Sequence, residues 1–141
     1  MTSLVFPDIN VWLALASSLH VHHQHAKSWY DSLDGEQLLF CRFTQLGLLR
    51  LLTTEAVLGA ETLTQRQAWR VYDALLKAND VEFCHEPRTL EDSFRALSPR
   101  LSASPKDWAD SYLAAFARET GAKLITFDKA LAARSKEAIV L

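Results

Sequence analysis

Three aspartates, Asp8, Asp110 and Asp128, have the residue type and placement that point to chemistry. Asp8 follows an apolar run, Ser3-Leu4-Val5-Phe6, and precedes a helical pattern in which Val11, Trp12, Leu15, Ala16 and Leu19 fall three or four apart. Asp128 follows the short β-branched run Lys123-Leu124-Ile125-Thr126-Phe127, so both carboxylates are expected at strand-to-helix junctions. Asp110 belongs to a helix expected from Ser104 to about Thr120, and steps of three and four from it reach Leu113, Ala114 and Ala117. Its carboxylate therefore projects from an apolar stripe. Like charges a few ångströms apart in a partly dry site repel strongly and require a counter-charge. A hard divalent cation answers that need, because Mg²⁺ takes oxygen ligands, keeps several waters and is held by one or two carboxylates plus a substrate phosphate. The chemistry predicted is phosphodiester hydrolysis by metal-activated water.

Each aspartate also has a plainer explanation. Asp8 and Asp128 can serve as N-caps of the helices that follow them, and Asp110 can form a buried ion pair with an arginine. Asp107 reads as a helix-start residue: Ser104 at the N-cap, Pro105 at the first helical position and Asp107 at the third, where its carboxylate can reach back. Counting on from Asp107 reaches Ser111 and Arg118, a solvent face. Thr126 shares a sheet face with Asp128 and reads as a neutral hydrogen-bonding neighbour.

The positioning elements follow from periodicity. Strands are expected at Ser3 to Phe6, Leu38 to Cys41, Val81 to Cys84, Lys123 to Phe127 and Ala138 to Leu141, separated by helical patterns. Thr44 is expected to cap an apolar helix through Leu52, and Thr64-Gln65-Arg66-Gln67 is a capping box opening a helix with Ala68, Val71, Tyr72, Leu75 and Leu76 on one side. Gly121 is the expected left-handed helix stop. Alternating strands and helices predict an α/β fold of three layers, with a mainly parallel central sheet of four to five strands flanked by helices. In such sheets ligands bind beyond the carboxyl ends of the strands, where Asp8 and Asp128 are expected.

The chain of 141 residues, 49% hydrophobic, is expected to be a single domain over residues 1–141. It has no apolar run of membrane-spanning length and no leader pattern, so a cytoplasmic location is expected. The formal net charge of -2 gives no global basic footprint for nucleic acid. Cys41 and Cys84 each close an apolar run and are expected as buried thiols rather than a disulfide. His20, His22, His23 and His25 lack cysteine or carboxylate partners at ligand spacing and are expected as solvated loop and helix-start residues.

Three segments carry a resemblance: Phe6-Pro7-Asp8-Ile9-Asn10-Val11-Trp12-Leu13, Asp107 to Ala117, and Leu124-Ile125-Thr126-Phe127-Asp128. Together with Leu48-Leu49-Arg50-Leu51-Leu52-Thr53, they resemble the motifs of PIN-domain ribonucleases, particularly VapC-type toxins of bacterial toxin-antitoxin pairs. The resemblance implies a PIN-like fold and an endoribonuclease dependent on Mg²⁺, for which Mn²⁺ substitutes. It implies Asp8 and Asp110 as principal metal-binding and catalytic residues, with Asp128 completing the acidic cluster. It further implies inhibition by a small cognate antitoxin of VapB type, and a homodimer. The chain departs from the pattern in one place. PIN domains usually carry a further acid early in the helix after the second strand, where this sequence has Gln45 and Gly47. An amide ligates through oxygen but supplies no charge. RNA contacts are expected from Asn10, Gln45, Arg50, Lys106 and Thr126. The alternative is a catalytically weak or inactive PIN-fold module that binds RNA or protein. A haloacid-dehalogenase-like phosphatase is disfavoured because Asn10 stands where its second aspartate is needed.

Overall fold

The computed structural model describes residues 2–141; Met1, the first residue of the expected domain, lies outside the described residues. Five parallel strands, β1 (Leu4–Pro7), β2 (Gln37–Phe40), β3 (Val81–Phe83), β4 (Lys123–Thr126) and β5 (Ile139–Val140), form one sheet in the order β3-β2-β1-β4-β5. β1 is central. The chain builds outward from it on one side through β2 and β3, then crosses to the other side for β4 and β5. The seam between β1 and β4 is therefore the topological switch point, where helices leaving adjacent strands diverge and open a crevice.

Helices α1 (Ile9–Ala16), α2 (His23–Asp31), α3 (Arg42–Leu52), α4 (Glu55–Leu58), α5 (Gln65–Leu76), α6 (Leu90–Leu97), α7 (Asp107–Thr120) and α8 (Lys129–Ala132) complete the layers. Strand alternation divides the core. Val5, Leu38, Phe40 and Ile125 face one way and pack with Trp12, Leu48, Leu52 and Tyr72 of α1, α3 and α5. Phe6, Leu39 and Leu124 face the other way and pack with Leu90 of α6, Phe116 of α7 and Leu131 of α8. Trp12 stacks on Phe40 with ring centroids 3.8 Å apart, which seats α1 flat against its face. By the same alternation, Asp8 continues the Phe6 face and Thr126 continues the Leu124 face, which is the α7 side.

Several boundaries shift from those expected. Thr44 is not the N-cap of α3; the helix begins at Arg42, and the Thr44 hydroxyl accepts from the Cys41 backbone N–H at 3.0 Å. The capping box at Thr64 is present, with reciprocal bonds to Gln67 at 3.2 and 2.9 Å. Gly121 ends α7 at φ 72°. α7 starts later than expected, because Pro105 and Lys106 belong to a turn in which Asp107 N–H donates to the Ser104 carbonyl at 3.0 Å. Asp107 is thus the first residue of the helix, not the third, and Ser104 does not cap it. Cys41 and Cys84 are free thiols just beyond β2 and β3. Among the described residues, no helix is long and apolar enough to cross a membrane.

Candidate active site

β1 hands its last carboxylate directly to α1. Asp8 N–H donates to Ile125 O across the seam at 2.9 Å, extending the β1–β4 ladder by one residue and fixing where Asp8 stands. Its Oδ1 then accepts from Val11 N–H at 3.0 Å, the N-cap bond of α1. Its Oδ2 accepts from the Thr126 hydroxyl of β4. Capping and site placement are one arrangement here, not alternatives. Thr126 is completely buried and also accepts, through Oγ1, from Asp128 N–H at 2.9 Å. The threonine therefore ties the two strand-end aspartates together.

Asp128 caps α8, its Oδ1 accepting from Ala130 N–H at 2.9 Å and Leu131 N–H at 3.3 Å. Among the described residues Oδ2 receives no hydrogen bond. Asp110, half-buried in the first turn of α7, goes further: nothing among the described residues donates to either of its carboxylate oxygens. The expected helical stripe holds, since Leu113, Ala114 and Ala117 are buried.

Repulsion and burial mark these groups as a set. Burial pushes the Asp8 carboxyl above its ordinary range against the opposing hydrogen bonds from Thr126 and Val11, and the Asp128 charge adds to the rise. Burial likewise raises Asp110, again reinforced by Asp128 and only partly countered by Arg134. Asp128 is the neighbour both share. The site thus holds more negative charge than its surroundings neutralise, with open carboxylate oxygens on Asp110 and Asp128. Among the described residues no three His, Cys, Asp or Glu side chains form a ready-made metal cage. This oxygen-only set fits a hard cation that takes one or two carboxylates and completes its shell with water, as Mg²⁺ does, and does not fit a closed four-ligand zinc site.

The other residues expected to contact RNA are dispersed. Asn10 is exposed in the first turn of α1, two residues after Asp8, and Lys106 is exposed just before the first residue of α7. Arg50 lies in the last turn of α3, about 12 Å of helix rise beyond Arg42 and so away from the sheet's carboxyl edge. Gln45 is buried; its Oε1 accepts from Arg42 Nη1, and Arg42 covers the Phe83 ring at 4.7 Å. That amide is committed to the β2–β3 side of the fold. Gly47 is shut in for another reason: a Cβ there would stand 2.2 Å from Ile9 Cδ1. The first turn of α1, next to Asp8, occupies the space that an acidic side chain at position 47 would need.

Asp107 stands elsewhere than the helical count predicts. It does not share a solvent face with Ser111, because Ser111 is completely buried. Asp107 accepts from Ser111 Oγ at 3.0 Å and from Arg100 Nη2 at 2.9 Å, and it pairs with Arg134 Nη1. Burial opposes its ionisation, but Ser111, Arg134 and Arg100 together outweigh that and hold its carboxyl below the usual range. Ser111 was legible as inward-facing from Ala114 and Ala115, three and four residues on and both buried. Arg134 carried no local signal, since its partners lie 23 to 37 residues away. The histidines are held by protein contacts: His23 Nδ1 lies 2.7 Å from Ala14 O, and His22 reaches across the chain to stack on Phe127 at 4.7 Å.

Residues 5–137 match the PIN domain family. The chain is a PIN-domain protein. It is 47% identical over 128 residues to ribonuclease VapC41 of Mycobacterium tuberculosis, covering 87% of this chain and 88% of the relative. It is 28% identical over 121 residues to ribonuclease VapC38 of the same organism, covering 86% and 82%. The PIN fold is also that of M. tuberculosis VapC20, a sarcin-ricin loop cleaving toxin, which superposes with a TM-score of 0.71 at 18% identity over 99% of this chain and 100% of the other. VapBC2 of Rickettsia felis, bound to a promoter DNA fragment, shares the fold at a TM-score of 0.64 and 11% identity, over 98% and 97%. The five-stranded parallel sheet with helices on both faces agrees with the α/β expectation.

Proposed function

We propose that this chain is a divalent-metal-dependent endoribonuclease that acts as the toxin of a type II toxin-antitoxin pair and hydrolyses RNA phosphodiester bonds. The observation that carries the reading is the half-buried Asp110 carboxylate, without a hydrogen-bond donor among the described residues and repelled by the charge of Asp128 at the β1–β4 switch point. Relatives named as VapC ribonucleases support it. Asp8, Asp110 and Asp128 are the catalytic and metal-binding residues of this reading. Held by these carboxylates, Mg²⁺ or Mn²⁺ would supply an activated water and stabilise charge developing on the phosphate. The protein's own contribution is preorganisation. Val11 N–H and Thr126 Oγ1 hold both oxygens of Asp8, so its carboxylate does not rotate away, while Asp110 and Asp128 offer free oxygens to the cation or its waters. Asn10, two residues after Asp8, and Lys106, just before α7, are this reading's groups for RNA phosphates.

A cognate antitoxin, a cytoplasmic location and a homodimer built on apolar helix faces belong to the same reading. Leu46, 62% exposed on α3, is the side chain we place at the dimer contact. A second reading, a PIN-fold module that binds RNA or protein without cleaving, draws support from Gln45 and Gly47 in place of an acid. The deciding experiment is cleavage of structured RNA by purified protein with Mg²⁺ or Mn²⁺, against EDTA and against Asp8→Asn and Asp110→Asn. Metal-dependent cleavage absent from both variants is expected. Equal cleavage by all three proteins would indicate a contaminating nuclease, and no cleavage by the wild type under any condition would favour the binding module.

A further inference from the structure

The starts of two helices, α7 and α8, carry the carboxylates on the α7 side of the crevice, and one guanidinium joins them. Asp128 opens α8, and Arg134 lies two residues past its end, with Arg134 N–H donating to Leu131 O at 2.9 Å so that the turn continues to it. Asp110 lies on α7 one turn after Asp107. Arg134 donates through Nη1 to Asp107 Oδ1, and through Nη2 to Ser111 Oγ at 2.8 Å and to the Leu97 carbonyl at the end of α6 at 2.6 Å. Its side chain is 19% exposed and that of Asp107 16%, so the pair is held in place rather than left to solvent. Asp110 and Asp128 repel each other. The core contact of Leu131 with the Phe116 cluster holds α8 against α7 from below, and the Arg134 bonds hold the two at the carboxylate end against that repulsion.

We propose that Arg134 is a positioning residue for the metal site, clamping the segment after α8 to the start of α7 through Asp107 and Ser111 and so setting the separation of Asp128 from Asp110. The inference rests on the metal-site reading above. Arg134 does not touch the cation; it holds the elements that bear the ligands, as outer-shell partners of metal sites do. The planar fork matters, because three acceptors on two helices are met at once.

The test is direct Mn²⁺ binding to the purified chain, by electron paramagnetic resonance of the free ion or by calorimetry, for wild type, Asp110→Asn, Arg134→Met and Arg134→Lys, with thermal melts in parallel. Wild type is expected to bind and Asp110→Asn to lose most binding. Arg134→Met is expected to weaken Mn²⁺ binding about tenfold while remaining folded, with Arg134→Lys in between because it keeps the charge without the fork. If Arg134→Met fails to fold, Arg134→Lys decides alone. A purely stabilising ion pair would lower the melting temperature and leave the affinity of the folded protein unchanged. Affinity within twofold of wild type in the folded Arg134 variants, with binding lost in Asp110→Asn, overturns the clamp. No binding by wild type, or equal binding by Asp110→Asn, removes the metal site itself and the clamp's role with it.

Discussion

Thr126 donates its hydroxyl proton to Asp8 Oδ2 across 118 residues of sequence, and the same hydroxyl oxygen accepts from Asp128 N–H. One buried threonine thereby sets two strand-end carboxylates relative to each other. Thr126→Val, which keeps the shape and removes both bonds, is expected to lower RNA cleavage about tenfold and stability by about 1–2 kcal/mol, since Asp8 and the Asp128 amide each lose a buried partner. Thr126→Ser should retain most of both. Cleavage rates and urea titrations of the two variants check this, and a Thr126→Val protein as active as wild type would mean that Asp8 needs no such restraint.

Asp8→Asn and Asp110→Asn are expected to reduce metal-dependent cleavage by at least about 100-fold each, as removal of a charge-stabilising group in a preorganised site does. EDTA should do the same to wild type. Side-by-side single-turnover assays provide the check, with the folded state of each variant followed by circular dichroism.

Both the Asp8 and Asp110 carboxyls are raised, chiefly by burial. For such a group the folded protein holds its proton more tightly than the unfolded chain, so stability falls as pH rises from the ordinary carboxylate value of 3.8 through the raised folded value, and stays lower above it. Asp110 accepts no hydrogen bond from the described residues, so Asp110→Asn is expected to melt higher than metal-free wild type at neutral pH. The difference should vanish below the unfolded pKa, where the wild-type group is protonated in both states. Mg²⁺ should raise the wild-type melting temperature and leave that of Asp110→Asn nearly unchanged. Differential scanning calorimetry across the pH range measures this directly, and a metal-free variant that melts below wild type at neutral pH would contradict it.

Gly47→Ala is expected to destabilise the fold by about 1–3 kcal/mol, because its new Cβ would overlap Ile9 Cδ1 and Cγ1 and force the Ile9 side chain out of its packed position. Ile9→Ala in the same chain should recover part of the loss by vacating that space. Denaturant midpoints of the single and double variants decide it, and additive losses would show that the two residues do not collide.

The α/β alternation, the parallel sheet and the stripe that carries Asp110 were readable from local pattern, because strand alternation and helical periodicity are properties of neighbours in sequence. Proline and glycine punctuation located the ends of α7 only partly: Gly121 stops the helix as expected, but the start moved to Asp107 because Pro105 and Lys106 complete a turn first. Thr126 was expected as a neutral neighbour of Asp128, and its deeper role as the link to Asp8 needed the β1–β4 pairing, which joins strands from opposite ends of the chain.

The sequence by itself determined which carboxylates stand at strand ends and on the inner stripe of α7, since those depend on spacing within single elements. Only the tertiary structure decided what each one touches. Asp107 left the solvent for Arg134, Gln45 was taken by Arg42, and the space beside Gly47 was filled by Ile9. Each of these is a contact between elements, fixed by how helices pack across a shared sheet edge, and periodicity along one element carries no information about it.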